Sequence, residues 1–95
     1  MELNLQDIRR QLDEIDDQMI VLFSRRMHLV QDVAAYKKEK GLPILDAGRE
    51  NAIMERLSQK AGGELAPYVR RLYQALFTLS REYQAAQMDR PEETH

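Results

Sequence analysis

Residues 4–40 read NLQDIRRQLDEIDDQMIVLFSRRMHLVQDVAAYKKEK, a stretch without glycine or proline that decides the fold. Apolar residues recur along it at alternating steps of three and four, which is the heptad pattern of a long helix packed lengthwise on other helices. The stripe comprises Leu5, Ile8, Leu12, Ile15, Met19, Leu22, Arg26, Leu29, Val33 and Tyr36. A helix over Asn4–Lys40 would form a rod of roughly 50 Å.

Glycine and proline elsewhere mark the breaks between helices. Gly41-Leu42-Pro43 forms one break and Gly62-Gly63 another, while Pro67 suits the first turn of a helix, where a missing N–H is tolerated. The sequence therefore predicts an all-α fold with three helices, at Asn4–Lys40, Asp46–Ala61 and Ala66–Met88. We expect residues 1–90 to form one domain and residues 91–95 to be a flexible polar tail.

The length of the first helix predicts an intertwined homodimer. A compact chain of 95 residues would have a radius of gyration near 12 Å and would span only about 30 Å. The rod therefore overhangs any core that its own chain can supply, and its apolar stripe calls for a second copy. An extended array and a different partner chain are the alternatives.

Composition narrows the functional classes. The 14 basic and 16 acidic residues give a formal net charge of -2, whereas a domain that binds nucleic acid has a strongly basic face. Cysteine is absent, which excludes disulfides and thiolate metal sites. The chain has neither a run of 18 apolar residues nor the basic and apolar regions of a signal peptide, so we expect no membrane span and a cytoplasmic location.

Arg26 interrupts the apolar stripe at a position that calls for leucine or isoleucine. A buried guanidinium is costly unless it is paired and hydrogen-bonded, so Arg26 reaches the surface, pairs with a buried glutamate or binds an anion. Lys37 follows eleven residues later, within roughly 20° of Arg26 around the helix and about 16 Å along its axis. The two cations could hold a small anion between them, although Lys37 also opens a charged run that suits the C-terminus of a helix.

Polar residues also interrupt the buried face predicted for the third helix. Ser80 and Gln84 lie four residues apart on one side of the helix, where they either bond to each other and the backbone or line a polar pocket. The predicted face comprises Val69, Leu72, Tyr73, Leu76, Ser80, Gln84 and Gln87.

The start of the second helix carries three charged residues. Asp46 suits an N-cap and Glu50 favours the helix dipole, so both have a structural explanation. Arg49 has none, because a cation in the first turn opposes the dipole. Arg9, near the start of the first helix, is either a surface residue beside Arg10 or, in an antiparallel pairing of two rods, a side chain that enters the partner's pocket.

Together these residues resemble the all-helical chorismate mutases from about Leu5 to Gln87. The resemblance rests on the order and spacing of Ile8-Arg9, Leu12-Asp13-Glu14-Ile15-Asp16, Arg25-Arg26, Lys37, Asp46-x-x-Arg49-Glu50 and Ser80-x-x-x-Gln84. It implies a chorismate mutase domain over residues 1–90, in a domain-swapped homodimer with two equivalent sites. Each site would convert chorismate to prephenate by a Claisen rearrangement, in phenylalanine and tyrosine biosynthesis. This rearrangement needs no nucleophile, metal or cofactor, so none is expected.

The resemblance also implies roles for individual residues. Arg26 would hold one carboxylate of the substrate with help from Ser80, and the partner's Arg9 would hold the other. Lys37 and Gln84 would donate hydrogen bonds to the ether oxygen of the breaking C–O bond.

Three residues of the second helix would complete the site. Glu50, with the backbone near Asp46, would take the ring hydroxyl, and Arg49 would support the wall and Glu50. An isochorismate-pyruvate lyase on the same scaffold is the nearest alternative. That subfamily lacks the acidic residue that follows the arginine of the second helix, and it also lacks the serine. Glu50 and Ser80 therefore favour the mutase. A non-catalytic helical dimer that binds another protein is the second alternative.

Overall fold

Side-chain caps and turns delimit three α-helices in the computed structural model, which describes residues 3–90. The elements are α1 over Leu5–Lys40, α2 over Ala47–Ala61, a short 3-10 helix over Gly63–Leu65 and α3 over Ala66–Met88. The all-α prediction is confirmed for this part of the chain, and the predicted helix bounds hold to within one residue. Asn4 and Asp46 lie just outside their helices as N-caps. The predicted tail over residues 91–95 lies outside the described residues.

Gly41 ends the long helix. Its φ of 65° is left-handed, the conformation that glycine adopts most readily. The Leu42 N–H donates to the Lys37 carbonyl at 2.8 Å, and the Gly41 N–H donates to the Lys38 carbonyl at 3.4 Å. This pair of bonds is a Schellman motif, which satisfies the last carbonyls of the helix and turns the chain back towards α2.

The third helix lies at the centre of the fold and packs against both α1 and α2. Arg26 contacts Ser80 and Lys38 contacts Arg90, so the second half of α1 runs parallel to α3. The contacts of α2 with α3 have the opposite order, since Glu50 meets Arg81 while later in α2 Glu55 meets Arg70. This arrangement brings the end of α1, the start of α2 and the middle of α3 to one place.

The core of this single chain is small. Among the described residues, the buried apolar side chains are Ala34 and Phe77, and the ring of Phe77 packs edge-on against Tyr73 at 5.8 Å between centroids. The sequence analysis placed Leu72 on the buried face of α3 and omitted Phe77. In this single chain Leu72 is instead 48% exposed, although it lines a shallow pocket with Met19 and Leu22 of α1.

Most of the first half of α1, Leu5–Leu22, projects beyond the rest of the chain, while its last turn, with Met19 and Leu22, meets α3 at a shallow pocket. Its apolar stripe is 37–61% exposed along its whole length. The radius of gyration is 17.5 Å and the longest dimension is 62 Å, well above the values of about 12 and 30 Å for a compact chain of this length. The predicted overhang is therefore confirmed. No helix within residues 3–90 combines the length and apolar character needed to cross a membrane.

Candidate functional site

A cavity of about 270 Å³ opens where the second half of α1, the start of α2 and the middle of α3 meet. All of the predicted site residues except Arg9 and Lys37 line it. Its polar wall comprises Arg26, Asp46, Arg49, Glu50, Ser80 and Gln84, and its apolar wall comprises Leu29, Val30, Val33, Ile44, Ile53 and Phe77. The lining combines a few convergent polar groups with an apolar surround, as small-molecule sites usually do.

Arg26 reaches from α1 to α3, where its Nη1 donates to Ser80 Oγ at 2.7 Å. Ser80 is buried and Arg26 is half-buried. A guanidinium has five N–H donors, so this bond leaves others to face the cavity. Because Ser80 accepts from Arg26, its own O–H can donate to a bound anion.

Lys37 lies beside the cavity and contacts two of its lining residues. Its Nζ donates to Gln84 Oε1 at 3.1 Å and to the Ile44 carbonyl at 2.6 Å. An ammonium group has three N–H donors, so one remains for a ligand. Only the oxygen of the Gln84 amide can accept from Lys37, and the amide NH₂ is therefore turned away from the lysine. The bond fixes Gln84, which is only 7% exposed, as a second donor.

Arg26 and Lys37 both bond to neutral groups rather than to carboxylates. The ion pairs within residues 3–90 join Arg10 to Asp7, Arg70 to Glu55 and Arg81 to Glu50. Arg26 and Lys37 thus have no carboxylate partner in the described part of the chain, where both bond to neutral groups. Arg26 thus brings positive charge to the cavity and Lys37 lies beside it, bonded to its lining residues Gln84 and Ile44, which suits an anionic ligand.

Asp46 and Glu50 have different roles at the start of α2. Asp46 Oδ1 accepts from the Arg49 N–H at 3.0 Å, which confirms the predicted N-cap. The Glu50 carboxylate instead receives Arg81 Nη1, at 2.5 and 2.6 Å from its two oxygens. The resemblance assigned the support of Glu50 to Arg49, but Arg81 makes this contact, while Arg49 lines the cavity.

Sequence reasoning did not identify Arg81. Helical periodicity places it on the side of α3 next to Ser80, but the glutamate that it meets lies 31 residues earlier in the chain. Only the packing of α2 on α3 brings the two together. The available signal in the sequence was weak: Arg81 directly follows Ser80, a candidate site residue.

Arg9 does not line the cavity of its own chain, because it lies in the projecting half of α1, where it is exposed. Its position in the partner's pocket stays a prediction. Groups of three or more histidine, aspartate or glutamate side chains arranged to hold a metal ion are also absent from residues 3–90. The cavity is thus equipped to bind an anion and to direct N–H and O–H donors at it.

Comparison with known proteins gave a family-model match and two curated relatives. The family model for chorismate mutase type II matches residues 8–85. A chorismate mutase from Methanocaldococcus jannaschii is 42% identical over 53 residues, which cover 56% of this chain and 54% of that protein. A T-protein from Haemophilus influenzae is 41% identical over 61 residues, 61% of this chain and 16% of that protein. The chain therefore spans about half or less of the length of these curated relatives. No solved structure matches.

Proposed function

The chain belongs to the chorismate mutase type II family, and we propose that it is an isomerase that converts chorismate to prephenate in phenylalanine and tyrosine biosynthesis. The observation that carries the proposal is that Arg26 lines the cavity and Lys37 bonds to two of its lining residues, both cations having neutral hydrogen-bond partners. Chorismate is a small dicarboxylate, so it can supply the carboxylate partners that Arg26 and Lys37 do not have within residues 3–90. The curated relative from Methanocaldococcus jannaschii bears the name of this activity.

Arg26 and Ser80 act on a carboxylate of the substrate. The rearrangement is unimolecular, and its main requirement is that the enolpyruvyl side chain be folded over the ring. Arginine–carboxylate contacts are strong and directional, and holding a flexible reactant in its reactive geometry can supply several kcal/mol of the barrier reduction. The bond from Arg26 to Ser80 aligns both groups before the substrate binds.

Lys37 and Gln84 act on the ether oxygen, which gains negative charge as the C–O bond breaks. Each has a donor remaining after the bond that joins them. A preorganised donor aimed at a developing oxyanion is worth about 3–4 kcal/mol in the comparable case of acyl transfer. Because Lys37 is also held by the Ile44 carbonyl, little reorganisation is needed when the charge develops.

Glu50 accepts the ring hydroxyl of the substrate in this proposal. Its carboxylate lines the cavity at the start of α2, close to the backbone around Asp46. Arg49 forms part of the same wall and adds positive charge to it.

The proposed enzyme is a domain-swapped homodimer that acts in the cytoplasm and binds neither nucleic acid nor membrane. Support for the dimer comes from the exposed apolar stripe of Leu5–Leu22, which a second copy would cover. The second substrate carboxylate needs a further cation, and the projecting half of α1 carries Arg9 on a rod long enough to reach another chain's cavity. We therefore assign that role to the partner's Arg9.

The test is turnover of chorismate by the purified protein. Loss of chorismate and formation of prephenate, which acid converts to phenylpyruvate, are followed spectroscopically beside a parallel incubation with isochorismate. We expect prephenate from chorismate. Pyruvate from isochorismate without prephenate from chorismate would instead identify a lyase, and no product from either compound would favour a non-catalytic dimer.

A further inference from the structure

We propose that Arg81 is a positioning residue that holds the Glu50 carboxylate in place for the substrate. The inference rests on the proposed function, and it concerns a residue to which the resemblance assigns no role. Arg81 Nη1 lies 2.5 and 2.6 Å from the two oxygens of Glu50. The side chains of the pair are 33% and 24% exposed, so water screens this contact less than a fully exposed ion pair.

Arg81 reaches Glu50 from the side away from the candidate active site. A second cavity, of about 300 Å³, lies behind Glu50 and is lined by both members of the pair, together with Asn51, Met54, Gln74, Phe77 and Thr78. Arg81 lines only this rear cavity, whereas Glu50 lines both. Arg81 therefore acts through Glu50 and not on the substrate directly.

The pair leaves Glu50 able to accept a second hydrogen bond. A carboxylate offers about four lone-pair positions, and one guanidinium nitrogen contacts both oxygens of Glu50. Further lone pairs remain for the ring hydroxyl, which is proposed to lie in the substrate cavity that Glu50 also lines. If the contact with Arg81 were lost, the carboxylate could turn into the rear cavity and withdraw its acceptor from the substrate.

Arg81 is itself held in position by Thr78. Its Nη2 lies 3.4 Å from Thr78 Oγ1, and that hydroxyl donates to the Gln74 carbonyl at 3.0 Å. The guanidinium is thus anchored on α3 while it contacts α2. Arg81 also offsets the negative charge of Glu50, which would otherwise repel the carboxylates of a dianionic substrate.

The experiment is a double-mutant cycle in kcat/KM for chorismate. We expect Arg81→Met to lower kcat/KM by about 10- to 100-fold, the range for a lost hydrogen bond between charged groups. Arg81→Lys should recover most of the loss, because it restores the charge. In a Glu50→Gln background, Arg81→Met should change kcat/KM by less than about threefold, since no carboxylate remains to be positioned.

Arg70→Met is the matched control. Arg70 also reaches from α3 to α2, where it meets Glu55 at 3.6 Å, but neither residue lines the candidate active site. Its substitution should leave kcat/KM unchanged, and circular dichroism and thermal unfolding check that each variant folds.

Two results would overturn the proposal, and they differ. Equal losses from Arg81→Met in the wild-type and Glu50→Gln backgrounds would mean that Arg81 acts independently of Glu50, while the proposed function stands. A wild-type protein that leaves chorismate unchanged would remove the proposed function and this inference with it.

Discussion

The two halves of α1 share one heptad pattern but have different surroundings. Most of Leu5–Leu22 projects with its apolar stripe exposed. Phe23–Lys40 lies along α3, buries Ala34 and carries the two cations of the candidate site, although the apolar stripe residues of this half are also 43–57% exposed. The stripe is wholly apolar in the first half of α1. Arg26, the charged residue that interrupts the stripe, lies in the second half. The heptad pattern alone thus distinguishes a half suited to assembly from a half that also carries candidate active-site residues.

The difference follows from helix lengths. At 1.5 Å per residue, the 36 residues of α1 extend about 54 Å, and the 23 residues of α3 about 34 Å. Roughly 20 Å of the longer helix therefore has no companion within the chain. An apolar surface of that length is typical of an interface, so the stripe of the first half predicts intermolecular packing. The second half packs on α3 through residues beside the stripe, such as the buried Ala34, while Leu29, Val33 and Tyr36 of the stripe stay 43–57% exposed.

Leu12→Asp should have the largest effect, which is loss of the dimer, because it places a charge in the middle of the projecting stripe. Each proposed dimer loses two buried leucine side chains, and each is worth about 1.5–3 kcal/mol. The dissociation constant of the dimer should therefore rise by roughly 10²- to 10⁴-fold, as measured by analytical ultracentrifugation over a range of concentrations.

Gln11→Asp serves as the control for this substitution. It introduces the same residue one position earlier, outside the stripe, and should leave the mass in solution unchanged. If Leu12→Asp also leaves that mass unchanged at every concentration, the first half of α1 has no role in assembly.

Lys37→Ala, in the second half of α1, should have the opposite effect: activity should be lost while the dimer is retained. Removal of a donor to the ether oxygen should lower kcat by about 10²- to 10³-fold. The measurement is the rate at which chorismate disappears. Lys38→Ala is the control, because Lys38 is the adjacent cation and its Nζ reaches the Arg90 carbonyl at 3.3 Å, outside the candidate site. Equal effects of the two substitutions would contradict the assignment of Lys37.

Much of the fold and of the site follows from local sequence signals. Helix ends depend on adjacent residues, so the caps at Asn4 and Asp46 and the turn at Gly41 could be predicted within one residue. Helical spacing also determines which side chains share a face. It therefore indicates that Arg26 and Lys37 lie on one face of α1, and that Ser80 and Gln84 lie on one face of α3.

Tertiary packing decided what sequence reasoning missed. The orientation of α3 between its two neighbours buries Phe77 and exposes Leu72, although both are large apolar residues on the same helix. The same packing selects Arg81 as the partner of Glu50. Periodicity specifies the face of each helix but not the residue that lies opposite on another helix, so these contacts could not be derived from spacing.

Arg9→Ala joins the two halves of the comparison, because Arg9 lies in the projecting half but is proposed to serve a cavity formed by the other half of a second chain. Loss of a charge-assisted hydrogen bond to a substrate carboxylate should lower kcat/KM by about 10- to 100-fold. Arg10→Ala, which removes the neighbouring exposed cation with its 2.8 Å contact to Asp7, should have little effect.

Mixing two inactive variants tests the sharing of sites directly. A mixed dimer of Arg9→Ala and Lys37→Ala chains has one site with both cations and one with neither. With random exchange, half of the dimers are mixed and each has one intact site of two, so about a quarter of the wild-type activity should return. If activity does not return although mixed dimers are detected by mass, each site is built from one chain.

Gly41→Ala should have the smallest effect and should act on stability through the turn that ends α1. A Cβ at Gly41 would meet no atom within 4 Å, but the φ of +65° is strained for alanine, so we expect the free energy of unfolding to fall by about 1–2 kcal/mol.

Gly48→Ala is the matched control with the opposite sign. Gly48 lies in the first turn of α2, where an added Cβ would make an ordinary contact at 3.8 Å with Asp46 Oδ1, and alanine should stabilise the fold by about 0.4–1 kcal/mol by restricting the unfolded chain. Urea denaturation at one fixed protein concentration measures both, since the stability of a dimer depends on concentration. Equal changes of the same sign would show that the left-handed turn at Gly41 does not set the end of the second half of α1.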